Sequence, residues 1–316
     1  MEVIKGLNNI KPTFKHPVVT IGTFDAVHLG HQKIIRYAVK EARRIKGDSI
    51  VFTFEKRPLA VLTPDKGHDM LMSLSDKIAK IKKMGIMAVI VVNFDRRVAG
   101  ITADNFIEDI LYKKLRPREI VIGSRFRFGR NRKGDVEVLR ARAPKYGYTV
   151  KVIKEKKYKN IVISSTKIRQ LIKSGSLILA SRFLGYPYSL SGKVVKGSER
   201  GKIIGFPTAN VRYDGQILLP GGVYAVYVTV GKGRYQGICN IGIRPTFYPG
   251  PKGKNIIEVH IFNFKRDIYN KYVKITWVKK IRDEQYFATV SGLIERIGKD
   301  IKIARRILSG ENVFTK

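Results

Sequence analysis

Apolar and polar positions along the first half of the chain form blocks that switch between a strand period and a helix period. Val18, Val19 and Ile21 form a short apolar run typical of a buried strand, and apolar residues after Gly30 recur at helical spacing. The alternation repeats as far as residue 153, which predicts a parallel sheet with helices on both faces. The other predicted strands are 49–54, 87–92, 119–122 and 148–153, and the other predicted helices are 75–84, 103–115 and 136–146.

The second half has a different pattern, rich in β-branched and aromatic residues with Gly and Pro between the apolar runs. Five segments are strand-like, and only 290–308 shows a helical stripe. This pattern predicts a small closed antiparallel β-barrel followed by a terminal helix. We place the boundary near Gly185, which gives a first domain over 1–186 and a second over 187–316. The predicted barrel strands are 188–195, 222–230, 234–240, 256–264 and 272–280.

Composition favours a globular protein with two cores, since 316 residues with 44% hydrophobic content suffice for two domains. The single cysteine, Cys239, excludes an intramolecular disulfide. Neither a signal-peptide h-region nor an apolar run of about 20 residues is present. We therefore expect a cytoplasmic protein with no membrane partner.

The chain is strongly basic, with 62 Lys and Arg against 25 Asp and Glu and a formal net charge of +37. Such a charge attracts anions, including nucleic acids. The excess is spread over both halves, which suits anionic substrates such as ATP. We therefore expect no specific nucleic-acid partner, and the sequence does not indicate an oligomeric state.

Residues 21–31, IGTFDAVHLGH, fill the turn between the first predicted strand and helix. Free backbone N–H groups and the positive end of a helix dipole favour anions at such a turn. His28 and His31 can add donors to the same anion, so the motif predicts a nucleotide phosphate site. The alternatives are an ordinary turn in which the two histidines start the helix, and a zinc site.

A second motif lies in residues 192–210, where glycines recur and give way to Pro-Thr-Ala-Asn. Glycines let backbone amides approach a polyphosphate closely, and Thr and Asn supply neutral oxygens to a hydrated Mg²⁺. Judged alone, the run could also be a β-hairpin loop without a ligand. A third segment, 163–169, offers three hydroxyls to cap a helix and places Arg169 one turn on, where it can reach polyphosphate; the alternative is an ordinary N-cap.

The first motif resembles the GxFDxxHxGH signature of the nucleotidyltransferase superfamily, and the second resembles the GxPTAN motif of riboflavin kinases. Segments 240–247, 257–264 and 281–284 continue the second likeness in order. Together they resemble the bacterial bifunctional riboflavin kinase/FAD synthetase family over nearly the whole chain. The resemblance implies a Rossmann-like nucleotidyltransferase domain and a riboflavin kinase barrel, which use ATP and Mg²⁺ to convert riboflavin to FMN and FMN to FAD.

The resemblance also implies roles for individual residues. It assigns catalytic roles to Glu258, as the base of the kinase, and to His28 and His31 in adenylyl transfer. It assigns ATP binding in adenylyl transfer to Gly22, Thr23, Phe24, Asp25, Gly30, Ser164, Ser165, Thr166 and Arg169. It assigns ATP binding in the kinase to Gly197, Gly201, Gly205, Pro207, Thr208 and Asn210, with Thr208 and Asn210 also binding Mg²⁺. It assigns flavin binding to Phe126, Phe128 and Arg282.

In its first half the chain departs from the family pattern at Ala26, at the pair Lys56-Arg57 and at Arg125. Two extra cations near FMN and ATP could tighten ground-state binding without raising turnover. Two alternatives therefore stay open: a riboflavin kinase with impaired adenylyl transfer, and a basic nucleic-acid-binding protein on a vestigial nucleotide fold. His260, two residues from Glu258, is interpreted as structural.

Overall fold

The computed structural model describes residues 1–11, 13–58, 70–197, 199–213, 217–243 and 255–310. By its internal contacts the chain divides into two compact units, Met1–Ser165 and Thr166–Lys316. This division falls before the boundary expected near Gly185. The domain limits 1–186 and 187–316 stay a prediction, and each unit is described by itself.

The first unit is built on a six-stranded sheet in which every neighbouring pair is parallel, in the order β1-β4-β3-β2-β5-β6. The sequences of these strands are mostly apolar because helices cover both faces of a parallel sheet. Their bounds are β1 Glu2–Lys5, β2 Val18–Ile21, β3 Ser49–Phe54, β4 Ala88–Val92, β5 Glu119–Gly123 and β6 Thr149–Ile153.

Helices cover both faces of this sheet. On one face α1 buries Ala38 and Ala42 against Val18 and Val121, and on the other the π-helix buries Ile107 in a larger apolar cluster. The helices are α1 Leu29–Arg44, α2 Leu74–Lys82, α3 Arg96–Gly100, α4 Ala103–Asn105, the π-helix Phe106–Leu115 that continues it, and α5 Val136–Tyr146. The described residues of this unit also form 3₁₀ helices at Leu7–Asn9, Asp25–Val27 and Arg130–Arg132 and a small hairpin of β7 Lys157–Tyr158 and β8 Ile161–Val162.

The strand order reverses at β2. From β2 the chain moves through α1 to β3 on one side, whereas β5 pairs with the other side of β2. Ligands of open α/β sheets bind at the carboxyl ends of strands where the order reverses in this way. The turn that carries the first motif follows β2 directly, so the topology places it at this position.

The second unit is a closed six-stranded antiparallel barrel in the order β10-β13-β12-β11-β14-β9. Alternate residues such as Tyr224, Trp277 and Val259 fill its interior. The terminal helix buries Ala304 and Leu308 against the outer face of the barrel. The bounds are α6 Ser165–Lys173, whose first residue belongs to the first unit, α7 Leu177–Leu184, β9 Ser189–Val195, α8 Arg200–Ile203, β10 Ala209–Arg212, β11 Gly222–Val230, β12 Gly233–Ile243, β13 Asn255–Ile261, β14 Tyr272–Arg282 and α9 Val290–Ser309.

The predicted fold class is confirmed in both units: a parallel sheet with helices on both faces, and an antiparallel barrel with a terminal helix. Sequence patterning missed the strands β1, β7, β8 and β10 and the helices α3, α7 and α8, and it did not distinguish the π-helix from an α-helix. Across the ranges that the structure describes, no helix has the length and apolarity to span a membrane.

Candidate active sites

The turn after β2 has an unusual backbone conformation. Phe24, Ala26 and Val27 have φ angles of 45°, 74° and 43°, in the left-handed region that non-glycine residues rarely adopt. All three side chains are buried, and the Asp25 carboxylate accepts a hydrogen bond of 3.0 Å from the backbone N–H of Leu71. Such conformations persist only where the surroundings fix them, and they concentrate at functional sites.

His28 and His31 lie together at the N-terminus of α1. The His28 side chain caps the helix, since its Nδ1 accepts a hydrogen bond of 3.3 Å from the His31 backbone N–H. The two rings stack with their centroids 3.6 Å apart. Because Nδ1 of His28 is the acceptor, the neutral form of this ring carries its proton on Nε2.

His31 is held in its neutral form. Burial is the main cause that lowers its pKa well below the usual value, and the charges of His28 and Lys77 lower it further. Within the described part of the chain its buried Nδ1 has no hydrogen-bond partner. A buried polar atom without a partner needs an explanation, and an absent ligand is one. The pair thus forms a donor site at the positive end of a helix dipole.

Two glycines of the first motif make room for the rings of Phe24 and His28. A Cβ at Gly22 would lie 3.2 Å from the Phe24 ring, and a Cβ at Gly30 would lie 3.1 Å from the His28 ring. The same Cβ at Gly30 would also lie 3.7 Å from the carbonyl oxygen of Ile163. Side chains at either position would therefore press on the site.

Lys77 is a site residue that sequence analysis missed. It lies on α2 with 1% of its surface exposed, and its Nζ donates to the Thr23 carbonyl at 3.1 Å and the Phe54 carbonyl at 2.6 Å. A lysine in an amphipathic helix is normally exposed, so the residue type alone did not indicate that Lys77 is buried. Its spacing of four residues from the buried Ile81 could have indicated the inward face.

One residue of the segment predicted as a second nucleotide anchor contacts this turn within the first unit. The Ser165 hydroxyl donates a hydrogen bond of 2.9 Å to the Asp25 carbonyl, which joins the two motifs within the first unit. Ser164 is half-buried. Thr166 and Arg169 lie on α6 in the second unit, Thr166 exposed and Arg169 buried. Their contact with a nucleotide stays a prediction.

The two phenylalanines predicted near the flavin differ in their surroundings. Phe128 is a core residue that packs between Phe106 and Phe126, whereas Phe126 is only half-buried. Phe126 is therefore the one with ring surface left for a ligand. Arg125 forms an ion pair with Glu155, so its charge is balanced within the first unit.

The barrel carries the second candidate site on its outer face. Glu258 of β13 pairs in register with Asn210 of β10 on one side and with Asn240 of β12 on the other. Residues directly opposite each other in neighbouring strands point to the same face of a sheet, so the carboxylate lies between two amides. Burial raises the pKa of Glu258 above its usual value, as suits a proton acceptor.

The glycines of the second motif leave space that polar groups occupy. A Cβ at Gly197 would overlap the Asn210 amide, and a Cβ at Gly201 would lie 3.1 Å from the Thr208 hydroxyl. Gly205 has a φ of 83°, which favours glycine. The side chains of Asn210 and Thr208 thus lie beside Gly197 and Gly201, and their contact with ATP or Mg²⁺ stays a prediction.

Pro207 is held by a residue from β13. The His260 ring lies edge-on to Phe206, and its Nδ1 is 2.8 Å from the Pro207 carbonyl. His260 therefore fixes the position of the Pro-Thr-Ala-Asn segment, which agrees with its structural interpretation. Residues 244–247, part of the segment 240–247 that continues the motif, lie outside the described residues.

Arg282 lies in an ion cluster with the terminal helix. Its Nε donates to Asp300 at 2.8 Å and its Nη1 donates to the Asp283 carbonyl at 2.9 Å, while Arg296 also donates to Asp300 at 3.2 Å. Two of its donors are thus used within the protein. Contact of Arg282 with a flavin stays a prediction.

Comparisons with known proteins identify the family of each half of the chain. Residues 10–167 match the FAD synthetase family, and residues 184–308 match the riboflavin kinase family. The chain is 38% identical to the bifunctional riboflavin kinase/FMN adenylyltransferase of Buchnera aphidicola subsp. Acyrthosiphon pisum, over 97% of this chain and 98% of that protein. The chain belongs to this bifunctional family. It is an enzyme of flavin cofactor biosynthesis with a riboflavin kinase domain and an FMN adenylyltransferase domain.

Two further comparisons extend over nearly the whole chain. The Escherichia coli bifunctional riboflavin kinase/FMN adenylyltransferase is 38% identical over 96% of this chain and 97% of its own. A crystal structure described as a macrolide-efflux protein from Streptococcus pneumoniae matches with a TM-score of 0.85 and 30% identity, over 96% of this chain and 99% of that one. Because both family matches concern flavin enzymes, the description of that structure is not transferred to this chain.

Proposed function

We propose that the flavin enzyme performs its two reactions at the two sites described above, with ATP as co-substrate in each. The barrel face around Glu258 phosphorylates riboflavin, and the turn around His28 and His31 transfers an adenylyl group to FMN. The observation that carries the kinase assignment is the row of Asn210, Glu258 and Asn240 across three strands.

In the kinase reaction the 5′-hydroxyl of riboflavin attacks the γ-phosphorus of ATP and ADP leaves. Glu258 accepts the hydroxyl proton, for which its carboxylate must be charged. Burial raises the pKa of Glu258, which increases its affinity for that proton. The neighbouring amides of Asn210 and Asn240 present hydrogen-bonding groups on the same face and bring no competing charge.

ATP-dependent transferases generally need a divalent metal ion, and we assign Mg²⁺ to the kinase site. The donor set fits, because Thr208 and Asn210 both offer neutral oxygens beside the positions where glycines leave room. No group of three or more His, Cys, Asp or Glu suited to a metal occurs among the described residues. Thr208 and Asn210 would hold the ion, which neutralises phosphate charge when bound.

In adenylyl transfer an FMN phosphate oxygen attacks the α-phosphorus of ATP and pyrophosphate leaves. The attacking oxygen is already an anion, so the protein supplies charge neutralisation and alignment and no general base. His28 and His31 donate N–H groups to the triphosphate at the N-terminus of α1. The ion pair of Arg125 with Glu155 means that this departure adds no unbalanced cation, which favours both activities over a kinase alone.

The test separates the two sites within one protein. The purified full chain is incubated with Mg²⁺ and ATP, with riboflavin in one reaction and FMN in another, and the flavins are separated by chromatography. Glu258→Gln should lose FMN formation by orders of magnitude and keep FAD formation from added FMN, with Glu295→Gln as the control. His28→Ala should do the reverse, with His16→Ala as its control. A parallel loss of both activities in either variant would contradict independent sites.

A further inference from the structure

The buried lysine of the first unit uses all of its hydrogen-bonding capacity. Nζ of Lys77 donates to the Phe54 carbonyl at 2.6 Å, the Thr23 carbonyl at 3.1 Å and the Thr53 hydroxyl at 3.3 Å. An ammonium group has three N–H donors and no acceptor. Lys77 therefore has no donor left for a phosphate, and its role cannot be that of a direct ligand.

These bonds join the carboxyl ends of two strands to one helix. Thr23 follows β2, whereas Thr53 and Phe54 end β3, and the Thr53 hydroxyl also donates to the Thr23 carbonyl at 3.1 Å. The Thr23 carbonyl thus accepts two hydrogen bonds immediately before Phe24, the first residue of the turn with a left-handed conformation. The position of Thr23 sets where that turn begins.

We propose that Lys77 is a positioning residue for adenylyl transfer, which holds the Thr23 carbonyl and so fixes the strained turn that presents His28 and His31 to the triphosphate. The inference rests on the adenylyl-transfer site proposed above. A turn with three non-glycine residues in the left-handed region needs such support, because its conformation is intrinsically unfavourable.

The charge of Lys77 gives the inference a second readout. Burial lowers the pKa of Lys77 to about 8, and the neighbouring carboxylates of Asp25 and Glu55 oppose that change. The ionisable groups that interact with Lys77 are therefore these two carboxylates and the imidazole of His31, whose own pKa is lowered mainly by burial. Below pH 8 Lys77 is an ammonium with three donors, and above it the neutral amine has two, so the support for Thr23 weakens as the pH rises.

The experiment compares Lys77→Met with Lys82→Met, which alters an exposed lysine of the same helix. In the full chain, Lys77→Met should lower kcat/KM for ATP in FAD formation by about tenfold or more, the effect of losing one charged hydrogen bond. FMN formation by the barrel in the same preparation should be unchanged. Wild-type kcat/KM for FAD formation should fall above about pH 8, and Lys77→Met should lack that decline.

Equal FAD formation by Lys77→Met and Lys82→Met would overturn the inference, as would an alkaline decline that persists in Lys77→Met. If Lys77→Met does not fold, Lys77→Gln replaces it, because glutamine can still donate two hydrogen bonds. A kcat/KM and a pH profile of Lys77→Gln that both equal those of the wild type would also overturn the inference. His28→Ala distinguishes this result from failure of the proposed site. If His28→Ala keeps FAD formation, the site itself is wrong and the inference falls with it.

Discussion

The ion cluster between β14 and the terminal helix allows a quantitative test of the second unit. Asp300 is 1% exposed and accepts hydrogen bonds from Arg282, whose side chain is 11% exposed, and from Arg296. Asp300→Asn keeps the shape of this side chain but removes its charge, and its amide would direct a donor at one of the two guanidinium groups. Arg282 would then be a buried cation without its counter-ion.

Removing one partner of a buried ion pair costs about 3–5 kcal/mol. We expect the lower end, about 3 kcal/mol, because the side chain of Arg296 is 31% exposed and can be hydrated in the variant. With a urea m-value of about 2 kcal/mol per molar, the unfolding midpoint of the second unit should fall by about 1.5 M.

The chain supplies its own probe for this measurement. It contains one tryptophan, Trp277, which is fully buried inside the barrel, so its fluorescence reports unfolding of the second unit. The matched control is Glu295→Gln on the same helix, where the ion pair with Lys299 is exposed on both sides. Exposed pairs contribute little, so this control should leave the midpoint unchanged. A midpoint for Asp300→Asn equal to that of Glu295→Gln would refute the reasoning.

Three further predictions concern the two sites. Gly197→Ala places a Cβ against the Asn210 amide, so FMN formation should fall by about tenfold or more while FAD formation from FMN persists. The control is Gly298→Ala, whose added Cβ meets no neighbouring atom. Equal rates of FMN formation in the two variants would contradict the close approach of Gly197 to Asn210. Because burial raises the pKa of Glu258, kcat/KM for riboflavin should decline on acidification at a higher pH than an exposed glutamate would give, and a pH-independent rate would argue against Glu258 as base. Ala26→Gly relieves a φ of 74° and should stabilise the first unit by about 1 kcal/mol in thermal unfolding, whereas no gain would mean that the turn is unstrained.

The fold followed from periodicity where periodicity was strong. The apolar run of β4 and the β-branched and aromatic residues of β11 specify their strands. β1 and β10 were missed because each has only four residues and mixes charged or polar side chains with apolar ones. The π-helix was predicted as an α-helix because a shift in hydrogen-bond register leaves no mark on the apolar spacing.

Some site residues could be predicted from one short segment of sequence, whereas others depend on segments that meet only in the fold. His28, His31 and the glycines around them were predictable because they lie within one short motif. The role of Lys77 depends on the ends of two strands that come together only in the fold, and the sequence places Thr23 and Thr53 far from it. Likewise, the two asparagines beside Glu258 follow from strand register, which no single segment reveals.

The turn after β2 retains an unfavourable conformation because its surroundings determine it at several points. Burial fixes Phe24, Ala26 and Val27, and hydrogen bonds hold the chain on both sides, through the Thr23 carbonyl and the Asp25 carboxylate. A relaxed turn would be more stable but would not necessarily start α1 with two stacked imidazoles. Since the N-terminus of a helix and its first histidines must face the triphosphate together, the strain is best understood as the cost of presenting both donors at once. Ala26→Gly should therefore separate backbone strain from the presentation of the two histidines, because it lowers the strain while leaving every hydrogen bond of the site in place.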